Sequence, residues 1–280
     1  MIDIRQSPQF ANFMKSLNWK VERLNFANVF LKKFPVIGFF AKISRPPENL
    51  TFGEISKLFK KYRIFSLKIS PNILTVDKNY YLTRKKFLEK GFKIEQSPFN
   101  PTTDIFIDLK QSEESIFNNF QQSKRRGVRK AIKNGIIVKE SENYDDFIDI
   151  RKKQYTPMGF LLVNEMKKLW ENFYPDNASL LLAYRSKKPL AGILLLFYEK
   201  IAYYWYASSL SQGKKLFAPT LLVWEALKLS KKKGCKTFHF EGIYDERFPK
   251  IAASWKGFTK FKEDFGGQKA VYLENFTINL

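Results

Sequence analysis

One cysteine and one histidine are all that the 280 residues hold of the two side chains most used in redox and metal chemistry. The lone Cys235 excludes an internal disulfide and suits a reducing compartment. The lone His239 excludes a multi-histidine metal site, and with a single thiol beside it no zinc centre is expected. Long apolar runs are also missing. The longest, LAGILLLFY at 190–198, is half a membrane span and reads as a buried strand. The opening MIDIRQSPQF is polar, so no secretory leader is expected and the expected location is cytoplasmic. Acidic residues are scarce too. Against 27 Asp and Glu stand 49 Lys and Arg, a net charge of +22. Such an excess suits nucleic acid, nucleotide-bearing substrates or the anionic inner face of a membrane, or it reflects a lysine-rich composition with no partner attached.

What is abundant is material for cores: 44% of residues are hydrophobic and 16% aromatic, 28 of them Phe. The chain is therefore globular, with the length of one large or two small domains. SLKIS (66–70) alternates as a half-buried strand, and DKNYYLTRKKFLEKG (77–91) reads as a helix closed by Gly91. Ser112 caps a helix with acids in its first turn. SKRRGVRKAIKNG (123–135) forms a second helix. Its wheel places Arg126, Arg129, Lys130 and Lys133 on one face and Val128, Ala131 and Ile132 on the other. The cationic face is either a solvated helix back or an anion-facing surface.

ASLLLAYRS, LAGILLLFY and IAYYWYASS are three strands separated by turns short enough for antiparallel hairpins. The helix PTLLVWEALKLSKKKG follows, with Pro219 in its first turn and Gly234 past its end. TFHFEGI reads as a strand, and FTKFKEDFGGQ with AVYLENFTI as a closing hairpin whose bend is Gly266-Gly267. In IAYYWYASS, alternation puts Tyr204 and Tyr206 on one side, as substrate contacts or as core. His239 and Glu241 likewise share a side, as a proton relay or as packing. The order is mixed α/β and fits the GNAT acyltransferase fold.

Seven stretches, in order, carry a resemblance: QSPQFANFMKSLNW (6–19), KISPN (68–72), GFKIEQSPFNPTTDIFIDL (91–109), SKRRGVRKAIKNGI (123–136), YYWYASS (203–209), KKGCKTFHFEGI (232–243) and FKEDFGG (261–267). Together they resemble the Fem family of aminoacyl-tRNA-dependent transferases that build peptidoglycan cross-bridges. The resemblance implies two tandem GNAT-like domains, 1–109 plus 263–280 and 110–262, of the compact type without the helical arm that some members carry. It implies aminoacyl-tRNA and a nucleotide- or lipid-linked muropeptide precursor as co-substrates, with no further cofactor.

Site residues follow from the same resemblance. Lys262 would stabilise the negative charge that builds on the ester carbonyl under attack, with Phe261 shaping the pocket. Gly266 and Gly267 would let the chain turn without blocking the substrate. Lys15 matches the family lysine at the precursor's diphosphate, and Tyr204 or Tyr206 a substrate-binding tyrosine. The family's Thr-x-x-Arg-x-x-Phe segment corresponds to RKKQYTPMGF, which has no arginine at that point; Arg151 and Tyr155, one turn before it, are expected to substitute. The Arg126–Lys133 face is the expected tRNA contact. The rival readings are an acyl-coenzyme A N-acyltransferase, disfavoured by the single glycine of LSQGKKLFAPT, and a non-catalytic RNA-binding module.

Overall fold

Residues 2–47 and 50–279 are described by the computed structural model. The chain divides into two units: Met1–Asp104 with Tyr244–Ser254 and Ala270–Leu280, and Ile105–Ile243 with Trp255–Lys269. The resemblance implies divisions at 109/110 and 262/263, with 244–254 in the second domain and 263–269 in the first; the two units hold these segments the other way round. The expected mixed α/β architecture is present, with two separate sheets.

In the first unit, α1 (Pro8–Ser16) starts on Ser7, whose hydroxyl accepts from the Phe10 amide at 3.0 Å. Strands β1 (Lys20–Leu24), β2 (Ala27–Phe34) and β3 (Gly38–Ser44) form a meander. After α2 (Phe52–Lys61), β4 (Ile64–Ser70) returns parallel to β3. Next come α3 (Tyr80–Glu89) and the short β5 (Lys93–Ile94).

The second sheet begins with β6 (Thr103–Asp108). Then follow α4 (Glu113–Asn118), α5 (Gln122–Lys133), β7 (Ile136–Ser141), α6 (Tyr144–Gln154) and α7 (Val163–Phe173). Strands β8 (Ala178–Arg185), β9 (Lys188–Tyr198) and β10 (Ile201–Ser209) form the two expected hairpins. After them come α8 (Ser211–Lys215), α9 (Ala218–Lys232) and β11 (Thr237–His239), which lies parallel to β10. The chain closes through α10 (Pro249–Ala252), α11 (Lys256–Glu263), β12 (Gln268–Val271) and β13 (Phe276–Asn279). Strand order is β1-β2-β3-β4-β13-β5 in one sheet and β12-β6-β11-β10-β9-β8-β7 in the other.

Two local expectations are corrected. The closing hairpin does not form, because FTKFKE lies within the helix Lys256–Glu263 and β12 and β13 belong to different sheets. Phe258, Phe261 and Phe265 recur at three and four residues, the helical spacing, which outweighs the strand-like look of the stretch. Ile132 is 59% exposed rather than in the core. Gly127 takes its place: a Cβ there would stand 3.1 Å from Thr220 Cγ2, so α5 and α9 meet closely at this glycine and the buried face turns to Gly127, Val128 and Ala131.

The core of the second unit fills the space between β8–β10 and helices α5 and α9, with Leu181, Ile193, Leu195, Leu221, Leu222 and Phe238 at its centre. Among the described residues no helix is long and apolar enough to cross a membrane.

Candidate active site

Strand β10 holds the key to the site. It pairs with β9 along its whole length, but with β11 only at Ile201–Tyr203. Beyond Tyr203 the two parallel strands part, and a cavity of about 710 Å³ opens beside Tyr204–Ser209. Side chains from α5, α6, α8, α9 and α11 close it.

The register of β10 shifts between Tyr204 and Tyr206, leaving Trp205 as the bulged residue. Tyr204 is paired with Leu195 and packs on the α5/α9 core, whereas Tyr206 is paired with the next residue, Leu194. The two tyrosines therefore leave the strand on opposite faces, contrary to the alternation read from the sequence, because a bulge inserts one residue into the period of two. Both still line the cavity. Burial pushes each phenol above its ordinary pKa, and at Tyr206 the neighbouring Glu165 carboxylate adds to this. The Tyr206 hydroxyl donates to Glu165 at 3.3 Å, so both phenols stay protonated at neutral pH.

Lys262 is buried at the base of the cavity on α11. Its Nζ donates to the carbonyls of Phe240 (2.7 Å), Glu241 (3.0 Å) and Gly242 (2.6 Å), and lies 4.9 Å from the Phe258 ring centroid and 5.6 Å from that of Tyr204. Three converging carbonyls match the three donors of an ammonium ion and fix its position. The chain makes this cradle by leaving the strand after His239: Glu241 and Gly242 have φ of 54° and 82°, which turns successive carbonyls inward. Gly257, Phe258 and Phe261 face the cavity from the same helix.

The expected partners gather here in part. Arg151 and Tyr155 line the cavity, with the guanidinium 4.8 Å from the Tyr155 ring centroid and 5.4 Å from that of Tyr206. Gln154, on the same helix, accepts from the Ser209 amide at 2.8 Å and ties α6 to the end of β10. Gly266 and Gly267 are not lining residues. With φ of 73° and 99° they end α11, and a Cβ on either would stand 2.7 Å from a backbone oxygen, of Asn119 or of Phe106. Their permissive backbone serves close chain packing. Arg126, Arg129, Lys130 and Lys133 are exposed on α5, and Lys15 is exposed on α1 of the first unit.

Sequence reasoning missed Lys124. It belongs to the same basic helix, yet its side chain turns into the cavity, 4.2 Å from the Phe261 ring centroid and 3.8 Å from the Asp264 carboxylate. Burial lowers its pKa, and Asp264 counters that in part. It stands three residues before Gly127, on the side where α5 and α9 meet closely. Lys214 is a further lining cation, while Glu241 supplies the one carboxylate among the described lining residues.

His239 and Glu241 keep a ring nitrogen and a carboxylate oxygen within 4.8 Å, although the strand between them has ended. The imidazole stacks on Phe106, with centroids 3.8 Å apart. Cys235 is no nucleophile at neutral pH, since burial pushes its thiol up to about 11.

Residues 178–279, which include β10, the carbonyl cradle and α11, match the FemAB family model. The Fem resemblance holds for this region. A stretch of 148 residues is 27% identical to the lipid II:glycine glycyltransferase of Staphylococcus haemolyticus, covering 49% of this chain and 35% of that protein. The match thus spans about a third of that relative's length. A crystal structure of FemX superposes on 99% of this chain and 92% of its own, with a TM-score of 0.83 at 17% identity. A tandem GNAT protein from the clavulanic acid biosynthesis pathway covers 90% of this chain and 82% of its own, with a TM-score of 0.56 at 9% identity. These two establish the tandem GNAT-like fold.

Proposed function

We propose that this protein moves an aminoacyl group from the 3′ end of a charged tRNA to the stem-peptide amine of a peptidoglycan precursor. The observation that carries this reading is the Lys262 ammonium, fixed on three carbonyls at the base of a cavity lined by four cations and one carboxylate. Similarity to a glycyltransferase supports the reaction class.

In this reaction the acceptor nitrogen attacks the ester carbonyl carbon, a C–N bond forms, and negative charge collects on the carbonyl oxygen. The C–O bond to the ribose then breaks, and the proton shed by the attacking nitrogen passes to the departing ribose oxygen, which regenerates the hydroxyl of the tRNA terminus. Lys262 acts through its charge. Its three donors are engaged, and a direct N–H bond to the oxyanion requires one carbonyl to be released. Glu241 is the base we assign to the amine's proton. Lys124, Arg151 and Lys214 hold the anionic parts of the two substrates, and the exposed Arg126, Arg129, Lys130 and Lys133 continue the positive surface along the acceptor stem.

The acyl-coenzyme A reading is weaker. At the start of α9, Pro219 removes one of the amides that would face a pyrophosphate, and the Phe217 N-cap is held left-handed at φ 63°. The test uses a pool of tRNA charged with labelled amino acids and muramyl-pentapeptide acceptors, both nucleotide- and lipid-linked. RNase-sensitive transfer of label supports the proposal, and tRNA binding without transfer to either acceptor overturns it.

A further inference from the structure

At the rim of the cavity, the turn that follows α6 exposes a cluster of apolar side chains. Met158, Phe160 and Leu161 are 57–61% exposed, and Leu162 and Tyr155 40–46%. Five large apolar side chains within eight residues, facing water, are more than scattered surface hydrophobics.

The turn is built rather than loose. Gly159 is buried, and a Cβ there would stand 2.6 Å from both Cα and O of Lys152, so the turn is pressed onto the end of α6. The Thr156 hydroxyl donates to the Lys152 carbonyl at 3.0 Å, and the Leu161 amide to the Met158 carbonyl at 3.2 Å. With Gly159 inward, its neighbours point out.

Charge surrounds this tip. Lys152 and Lys153 are exposed at the end of α6, immediately before the turn. One exposed acid, Asp149, lies a turn before these lysines on α6, while Asp145 pairs with Lys167 at 2.9 Å and Glu165 accepts from Tyr206. Apolar side chains at the tip and lysines behind them match a bilayer interface, where rings and aliphatic groups enter the headgroup layer and ammonium groups meet phosphates.

We propose that Met158, Phe160, Leu161 and Leu162 dock this unit on an anionic lipid surface, with Lys152 and Lys153 on the lipid phosphates. Arg151, Gln154 and Tyr155, from the same helix end, line the cavity. Docking therefore brings the cavity's rim to the membrane, and, on the transfer reading, selects a lipid-linked acceptor over a nucleotide-linked one.

Co-sedimentation with phosphatidylcholine vesicles, with and without phosphatidylglycerol, tests the docking without reference to catalysis. The protein should sediment with the anionic vesicles and release at high salt. Phe160→Ser with Leu161→Ser should weaken binding about tenfold or more. Lys152→Gln with Lys153→Gln should weaken it about fivefold per lysine and leave little salt dependence. All four positions are exposed, so both variants should melt like the native protein. Equal vesicle binding by native and Ser variants overturns the proposal. So does a native dimer that the Ser variant splits into monomers while neither binds lipid, since the face would then be a self-interface.

Discussion

The Lys124 ammonium stands 4.2 Å from the centroid of the Phe261 ring, on the wall of the cavity that Lys262 closes from below. The aromatic face attracts this cation, but burial makes its charge costly to the fold and lowers its pKa; Asp264 counters this and the Lys260 ammonium adds to it. Lys124→Met should lower transfer activity by about 10²-fold while leaving the melting temperature unchanged or slightly higher. The sign of the pH effect follows. A depressed lysine pKa means that the unfolded chain binds the proton more tightly, so the penalty is complete below the folded pKa and relieved as pH rises through it toward 10.5. Thermal melts of both proteins from neutral to alkaline pH should therefore converge.

Asp245 behaves in the opposite sense. Burial disfavours its charge, but bonds from Arg247 (2.7 Å to Oδ2), Thr102 (2.5 Å) and Thr103 (2.9 Å) outweigh this and hold its pKa at about 2. Its contribution is present above the ordinary value of 3.8 and is lost as pH falls toward 2. Asp245→Asn should cost about 2 kcal/mol at neutral pH and flatten the acid limb of the stability profile in that window. Denaturant titrations at pH 7 and pH 3 check both.

Gly266→Ala and Gly267→Ala should destabilise by about 1–3 kcal/mol each, because φ is positive and an added Cβ meets a carbonyl oxygen at 2.7 Å. Activity per folded molecule should stay near native, since neither glycine lines the cavity. A large loss of kcat without a loss of stability would return them to the substrate site.

These glycines also show what the sequence can and cannot tell. That Gly266-Gly267 marks a special backbone was legible, as were the hairpins of β8–β10, α5 and α9; the resemblance singled out Phe261 and Lys262, which line the cavity. Whether the chain before the glycines was helix or strand was not, because the core that decides it comes from distant residues such as Phe120 and Phe240, which pack on Phe265. The bulge at Trp205 has no local signature, so the facing of Tyr206 could not be read. Lys124 was hidden for a similar reason: the wheel of an isolated helix gives a polar side, not which part of that side a neighbouring helix closes over.

Coenzyme A should leave the melting temperature of this protein unchanged, given the proline and the left-handed N-cap at the start of α9. Charged tRNA should raise it, and do so less as salt is added. A coenzyme A shift of several degrees would favour the acyl-thioester reading.

The most direct measurement is the single-turnover rate of label transfer from charged tRNA to the muramyl-pentapeptide acceptor, in native protein, Lys262→Met and Lys262→Arg. Removal of a fixed charge at the developing oxyanion should slow the chemical step by about 10²–10³-fold in both variants, since a planar guanidinium does not fit three converging carbonyls. Unsatisfied carbonyls should also lower stability, so rates are taken per folded molecule. Transfer at the native rate by folded Lys262→Met would contradict the central role given to this lysine.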